Sequence, residues 1–415
     1  MAGGTAGGWR RRIGRVLVWA AVVLITWIGL AAIIYSPEYV GRVLRSRESS
    51  VEDYLFTFPL RTMTAADEPF MFGASTDAEP RVRALLEVAL GTIDLDAFLD
   101  ETDTQALIVI QDGTVLLERY ASGTSRDSLL TSFSVAKSFD SALVGIAIDE
   151  GFIGSVDDPI TDYLPELGNR DFAFGAITIR HLLLMAAGLD YQEFRWFLFN
   201  GDDPLTTYYP DQRRLALENT NIVDPPGLYF NYNKYHPQLL GMILERTTGM
   251  SVTEYTQTRL WDRLGMEYDG AWALDDENGF EKMEAGVNAR AIDYAKLGQL
   301  YLQEGIWEGE QIISADWIEA STSLDPATHN AEYYAQSFGP AVYAEGRGYY
   351  KYMWYGRLRD GRPADIFAEG DHGQFIYVSP AHGVVIVRNG FEWGIASNDW
   401  IDAFYEVAGR LSPEG

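Results

Sequence analysis

Twenty consecutive residues near the N-terminus, Val16 to Tyr35, read VLVWAAVVLITWIGLAAIIY, with Thr26 the one interruption of an apolar run. About 20 such residues in a helix cross the hydrocarbon core of a bilayer. Trp19 and Tyr35 lie near the ends of the run, where amphipathic rings favour the membrane interface. From Ser36 to Thr76 the pattern turns to mixed charge with Pro37, Pro59 and Pro69, the composition of a linker. The expected organisation is a cytoplasmic N-terminus with transmembrane anchor over 1–36, a membrane-proximal linker over 37–76, and one large domain over 77–415.

Within that domain the apolar spacing changes period several times. Arg81 to Leu90 has helical spacing. The runs ALIVI and TVLLERY flank Gln111-Asp112-Gly113 and read as a β-hairpin, with Asp-Gly as its turn signal. Phe139, Ala142, Leu143, Ile146 and Ala147 recur at helical spacing up to Gly151, which suits a helix end. Asp157 to about Gly305 is mostly helical in pattern, with segments such as TIRHLLLMAAG, YHPQLLGMILERTTG and NARAIDYAKLGQLYLQEG. Strands return as QFIYVSP and GVVIVRNG across Ala381-His382-Gly383, and a last helix aligns Trp400, Phe404, Val407 and Leu411. Strands at both ends with helices between them imply an α/β (α+β) fold. An antiparallel sheet is assembled from both chain ends and flanked by helices, with a helical lobe in the middle.

Charge adds a topology. The formal net charge is −28, and residues 1–36 hold Arg10, Arg11, Arg12 and Arg15 with no acid; subtracting these four cations leaves −32 on the remainder. Arginines before the apolar run favour cytoplasmic retention of the N-terminus. That gives a single-pass protein of the cytoplasmic membrane with its domain outside. A cleaved signal peptide is the competing reading with the same topology, although its apolar region is usually shorter and no A-x-A site stands out. The acidic surface repels phosphate backbones and no basic stripe appears, so nucleic acid is not an expected partner. There are no cysteines, which excludes disulfides, thiolate metal sites and a cysteine nucleophile.

The chemistry centres on TSFSVAKSFDSALVGIAIDEG, Thr131 to Gly151. A serine hydroxyl becomes a nucleophile when a neighbouring base takes its proton. Ser134 and Lys137 are three apart, on one face if helical, and apolar Phe133, Val135, Ala136 and Phe139 would desolvate the amine and favour its neutral, basic form. The tetrapeptide alone fits equally a helix-capping serine and a surface lysine. No G-x-S-x-G, H-E-x-x-H or G-x-x-x-x-G-K-(S/T) occurs, and His181, His236, His329, His372 and His382 lack metal-ligand spacing, so neither a metal nor another cofactor is expected.

Further segments follow in register: Gly154 to Pro165 (GSVDDPITDYLP), Thr178 to Leu189 (TIRHLLLMAAGL) and DPPGLYFNYNKYHPQLLGMILERTTG. Together with Ser134-Val135-Ala136-Lys137 they resemble the serine β-lactamase and penicillin-binding-protein superfamily, on its class C side, from about Ala106 to the C-terminus. The resemblance implies Ser134 as acylated nucleophile, Lys137 as its base and Tyr232 as second acid/base. Two departures stand out. The asparagine of Tyr-x-Asn is replaced by Lys234, and the late Lys-Thr-Gly is replaced by Ala368-Glu369-Gly370, followed by Asp371-His372-Gly373-Gln374. The loss of that lysine argues against efficient penicillin hydrolysis.

The G-x-H-G-Q form is more similar to the 6-aminohexanoate-oligomer hydrolases and carboxylesterases of the superfamily. By that likeness the backbone N–H groups of Ser134 and Asp371 form the oxyanion hole. Lys234 and His372 are the substrate-side candidates, His372 having bracing of the strand end as its alternative role. The expected activity is hydrolysis of small-molecule carboxylic esters or amides. The alternatives are a D,D-peptidase, penicillin-binding protein or β-lactamase, and a non-catalytic binding protein on the same fold. The pocket is expected to be shaped by Tyr191 to Tyr209, rich in aromatics and acids.

Overall fold

The computed structural model describes residues 6–46, 49–193, 199–330, 332–335 and 346–411. The chain divides into two compact units, Met1–Ser50 with Gln192–Pro210, and Val51–Tyr191 with Asp211–Gly415.

In the first unit a helix runs from Ala6 to Ile34, and its stretch Arg12–Ile34 is long and apolar enough to cross a membrane. Thr26, the polar interruption, returns its hydroxyl to the carbonyl of Val22 (2.8 Å), so its donor is satisfied within the helix. A second helix, Pro37–Arg45, begins at Ser36, whose Oγ accepts the N–H of Tyr39 (3.0 Å). The Tyr39 hydroxyl donates to the Phe199 carbonyl (2.8 Å), and Asp202–Tyr208 is helical. Much of the aromatic and acidic stretch 191–209 therefore belongs to this first unit, and 194–198 lie outside the described residues.

The second unit is built on an eight-stranded sheet. Its strands in chain order are β2 (Gly73–Ala74), β3 (Thr104–Gln111), β4 (Thr114–Tyr120), β10 (Gly348–Lys351), β11 (Trp354–Arg359), β12 (Arg362–Gly370), β13 (Gln374–Ser379) and β14 (Val384–Gly390). The spatial order is β10-β11-β12-β13-β14-β3-β4-β2, so the two chain ends meet where β14 pairs antiparallel with β3. The expected sheet from both termini is present, with one parallel pair, β2 on β4, at its edge. Asp112 and Gly113 both have positive φ (46° and 73°), the backbone a two-residue hairpin requires.

One face of this sheet is covered by the helices Glu79–Leu90 and Ser397–Leu411. Val82, Leu86, Leu107, Val109, Phe375 and Phe404 share one core there. Each large side chain so buried contributes roughly 1.5–3 kcal/mol. The opposite face receives the helix Ala291–Leu302 at very short range. A Cβ on Gly298 would stand 2.8 Å from side-chain atoms of Ile376 and Val385, and only glycine fits.

Two features depart from the sequence reading. The middle of the chain is not only helical. A four-stranded sheet, ordered β1-β6-β7-β5, is made by β1 (Leu60–Met63), β5 (Leu130–Thr131), β6 (Gly270–Ala273) and β7 (Val287–Ala289); Ile306–Trp307 (β8) and Glu310–Gln311 (β9) form a small hairpin. Residues 37–76, expected as a linker, supply β1 and β2 to the two sheets. These strands are two to four residues long, too short for alternation to register against their neighbours.

Candidate active site

β5 delivers the chain to the site. Leu130 and Thr131 pair with Ala289 and Asn288, and the Ser132 N–H bonds the Val287 carbonyl (2.9 Å). Phe133 then turns the chain with φ of 43°, a left-handed conformation costly for a bulky side chain. Its ring is held between those of Tyr54 (5.2 Å) and His372 (4.9 Å). One short turn, Phe133–Val135, leads into the helix Ala136–Asp149. From Leu130 to Ala147 every residue is buried except Ser134, so a sealed element opens at one hydroxyl.

Lys137, 2% exposed, donates from Nζ to Ser134 Oγ (2.8 Å) and to the carbonyl of Glu284 (2.6 Å). It is not a surface lysine. Its Nζ also lies 4.9 Å from the ring centroid of Tyr232. Tyr232 arrives on a loop pinned by two backbone bonds, Phe230 N–H to the Tyr333 carbonyl (2.8 Å) and Asn231 N–H to the Met185 carbonyl (2.7 Å). An alcohol, an amine and a phenol from two distant segments thus converge. The amine is placed to exchange a proton with the alcohol, and the phenol ring stands beside that amine.

The end of β12 closes the other side. A Cβ on Gly370 would stand 2.3 Å from the Ser132 carbonyl oxygen and 3.0 Å from the Ser134 backbone nitrogen, so the strand passes the serine at a distance no side chain allows. Asp371 follows. Its Oδ1 accepts from the His372 N–H (2.9 Å) and from Trp393 Nε1 (3.0 Å). His372 takes φ of 58°, and its Nδ1 is 3.5 Å from Glu392. Its ring packs against Phe133, which links the end of β12 to the turn that carries Ser134. Gln374 ties the same corner by donating to the Gly390 carbonyl (2.6 Å) and accepting from Asn389 Nδ2 (3.1 Å). Arg388 adds a bond to the Gly373 carbonyl (2.6 Å).

Lys234 sits half-buried at the start of the helix Tyr235–Thr248. The capping bond there comes from Asn233, whose Oδ1 accepts the Tyr235 N–H (3.1 Å). Lys234 acts as a like charge on buried Lys282, whose amine is pushed down first by burial and held up by Glu284. Lys282 and Glu284 form a fully buried ion pair at 2.7 Å. Asp140, one turn after Lys137, is also fully buried, and burial raises its carboxyl well above the ordinary range, opposed by Lys137 and reinforced by Glu284. Tyr350 on β10 stands 6.1 Å from the Tyr232 ring, and burial, then Tyr232 and Asp140, push its phenol up.

The sequence pattern gives no role to Asp140, Lys282, Glu284, Tyr350 or Gly370. One signal exists for the first: Asp140 is the one charged residue in SFDSALVGIAI.

Known proteins resemble this chain over most of its length. The chain is 29% identical over 328 residues to a 6-aminohexanoate-dimer hydrolase of Paenarthrobacter ureafaciens, covering 76% of this chain and 79% of that one. Among solved structures, a putative 6-aminohexanoate-dimer hydrolase from Bacillus anthracis superposes with a TM-score of 0.69 at 21% identity, over 87% of this chain and 95% of that one. EstCE1, a hydrolase with promiscuous acyltransferase activity, gives 0.59 at 16% identity, over 80% and 100%. Residues 95–394 match the family model Beta-lactamase, more than half of the chain, and the protein belongs to that family.

Proposed function

We propose that this chain is a membrane-anchored serine hydrolase that cleaves carboxylic esters or small amides through an acyl intermediate on Ser134. The observation that carries the reading is the 2.8 Å bond between Lys137 Nζ and Ser134 Oγ in a site where Lys137 is buried and Ser134 is open. In acylation, Lys137 takes the hydroxyl proton as Oγ adds to the carbonyl carbon. The developing oxyanion is assigned to the backbone N–H groups of Ser134 and Asp371, a reading supported by the close passage of Gly370 beside the Ser134 nitrogen. Tyr232 relays the proton to the departing amine or alcohol. Water then attacks the ester, with the same groups returning its proton.

Support for amide or ester substrates comes from the hydrolase relatives and from the absence of the Lys-Thr-Gly triad, whose place is taken by the segment Ala368 to Gln374. Lys234 and His372 are the substrate-side candidates, with His372 better supported as a brace by its contacts with Phe133 and Glu392. Anchoring through residues 16–35, with the hydrolase outside the cytoplasmic membrane, rests on the apolar helix and the arginines before it.

The test is a panel of p-nitrophenyl esters, small amides and β-lactams on wild type and Ser134→Ala, with intact-mass detection of the adduct. Turnover of an ester or amide with a transient adduct on wild type alone is expected. Stable labelling by a fluorescent penicillin would favour a cell-wall peptidase instead, and undiminished turnover by Ser134→Ala would end the reading.

A further inference from the structure

The left-handed backbone at Phe133 is the strained point of the nucleophile element, and Ser134 is the next residue. A bulky side chain keeps such a conformation only where its surroundings hold it there. One such contact comes from His372 at the end of β12. Another comes from Tyr54, whose ring meets that of Phe133 edge-on at 5.2 Å. Tyr54 belongs to the stretch 37–76, which the sequence pattern reads as a membrane-proximal linker.

Tyr54 lies in a single wide turn, Asp53–Thr57. Val51, Asp53, Tyr54 and Phe58 are buried while Phe56 is exposed, so the segment turns one face to the interior. Three attachments fix Tyr54 there. Its carbonyl accepts from Asn288 Nδ2 (3.2 Å) on β7, the strand that pairs with β5 just ahead of Ser134. Its ring meets that of Phe58 (5.3 Å), over which Lys282 Nζ stands at 4.5 Å. Its hydroxyl reaches Glu284 Oε1 at 3.4 Å, a long hydrogen bond. Glu284 is the residue whose carbonyl accepts from Lys137 Nζ. One buried side chain thus touches both the turn that carries Ser134 and the residue that holds the amine of Lys137.

We propose that Tyr54 is a positioning residue for acylation of Ser134, and that residues 51–58 form the back wall of the active site. It acts through Phe133 and Glu284. The match to the family model begins at residue 95, so this wall is supplied from outside the matched region. Without the Tyr54 ring the turn at Phe133 relaxes toward an ordinary backbone, and Ser134 Oγ moves relative to Lys137 Nζ and to an incoming carbonyl. A misplacement of about 1 Å at a reacting atom costs on the order of 100-fold in rate. The ring carries this effect more than the hydroxyl, whose one bond to Glu284 is long.

This inference rests on the proposed Ser134–Lys137 chemistry, and its test separates the two. Full-length, detergent-solubilised wild type, Tyr54→Phe and Tyr54→Ala are mixed with excess p-nitrophenyl ester and quenched at intervals. Intact mass follows the Ser134 adduct, with thermal unfolding alongside. The amplitude counts folded sites, whereas the rate constant of adduct formation reports their geometry whatever fraction is folded. A purely structural role lowers the amplitude alone. The expected result is a rate constant at least about 10-fold lower in Tyr54→Ala, and within about 3-fold of wild type in Tyr54→Phe. An unchanged rate constant in folded Tyr54→Ala would overturn the role of Tyr54 while leaving the hydrolase reading intact; no adduct on wild-type Ser134 would remove both. Should Tyr54→Ala not fold, Tyr54→Leu and Phe133→Leu are measured singly and together. A combined rate loss smaller than the product of the single losses by at least about 2-fold supports action through the ring contact, and a multiplicative loss refutes it.

Discussion

Glu369 offers a stability test that does not depend on any substrate. It lies on β12 opposite Phe375, on the face covered by the helix Ser397–Leu411, and its Oε2 is sealed from solvent without a partner. Burial, against the opposing influence of the nearby Ser397 hydroxyl and reinforced by Asp371, pushes its carboxyl up to about 7 from 4.5. The Ser397 Oγ itself meets no hydrogen-bond geometry, so that relief is weak. A carboxyl whose folded value lies above its unfolded value binds its proton more tightly in the native state. Its stabilising contribution is therefore complete below about 4.5 and is lost as pH rises through about 7. At about 1.4 kcal/mol per tenfold change in proton affinity, the loss is about 3 kcal/mol between pH 4 and pH 8. Glu369→Gln, which cannot ionise, removes that loss. Urea denaturation of both proteins at steps between pH 4 and 8 should show the variant near wild type at the acid end and more stable by up to about 3 kcal/mol at pH 8. Parallel stability curves across the range would refute the buried-carboxyl argument.

Lys282→Met should cost about 3–5 kcal/mol by leaving Glu284 charged and unpaired, and adding Glu284→Gln should recover most of it, as read in a denaturant double-mutant cycle. Gly370→Ala forces a methyl to 2.3 Å from the Ser132 carbonyl, so the β12 end must shift; kcat is expected to fall at least about 10-fold with a smaller change in KM, measured by steady-state ester hydrolysis. Arg388 makes four bonds, to Thr104 Oγ1 and to the carbonyls of Gly373, Thr102 and Glu392. Arg388→Lys cannot reproduce that fork and should lower the unfolding free energy by about 1–3 kcal/mol in urea titrations.

What could be read in advance follows from how locally each feature is encoded. The hairpin at Asp112-Gly113 and the buried stripe of Trp400, Phe404, Val407 and Leu411 are properties of neighbours in sequence, and both are present. The Ser134–Lys137 approach is likewise local, set by three residues of helix. Tyr232 joined them only through ordered motifs, because no spacing brings a residue nearly a hundred positions away to 4.9 Å of an amine. β1, β5, β6 and β7 were illegible for the opposite reason, being two to four residues each and stabilised by pairing rather than by propensity.

The same distinction explains why the surroundings of Lys137 had to be seen in three dimensions. Glu284 lies 147 positions from Lys137 and contributes a carbonyl, a group every residue possesses, so its side chain gives no clue to that bond. Its carboxylate has a different task, the buried pair with Lys282. The interior behind Ser134 thus draws on three segments, the helix Ala136–Asp149, the β6–β7 connection and β10, and of the residues from Leu130 to Ala147 only Ser134 is not buried.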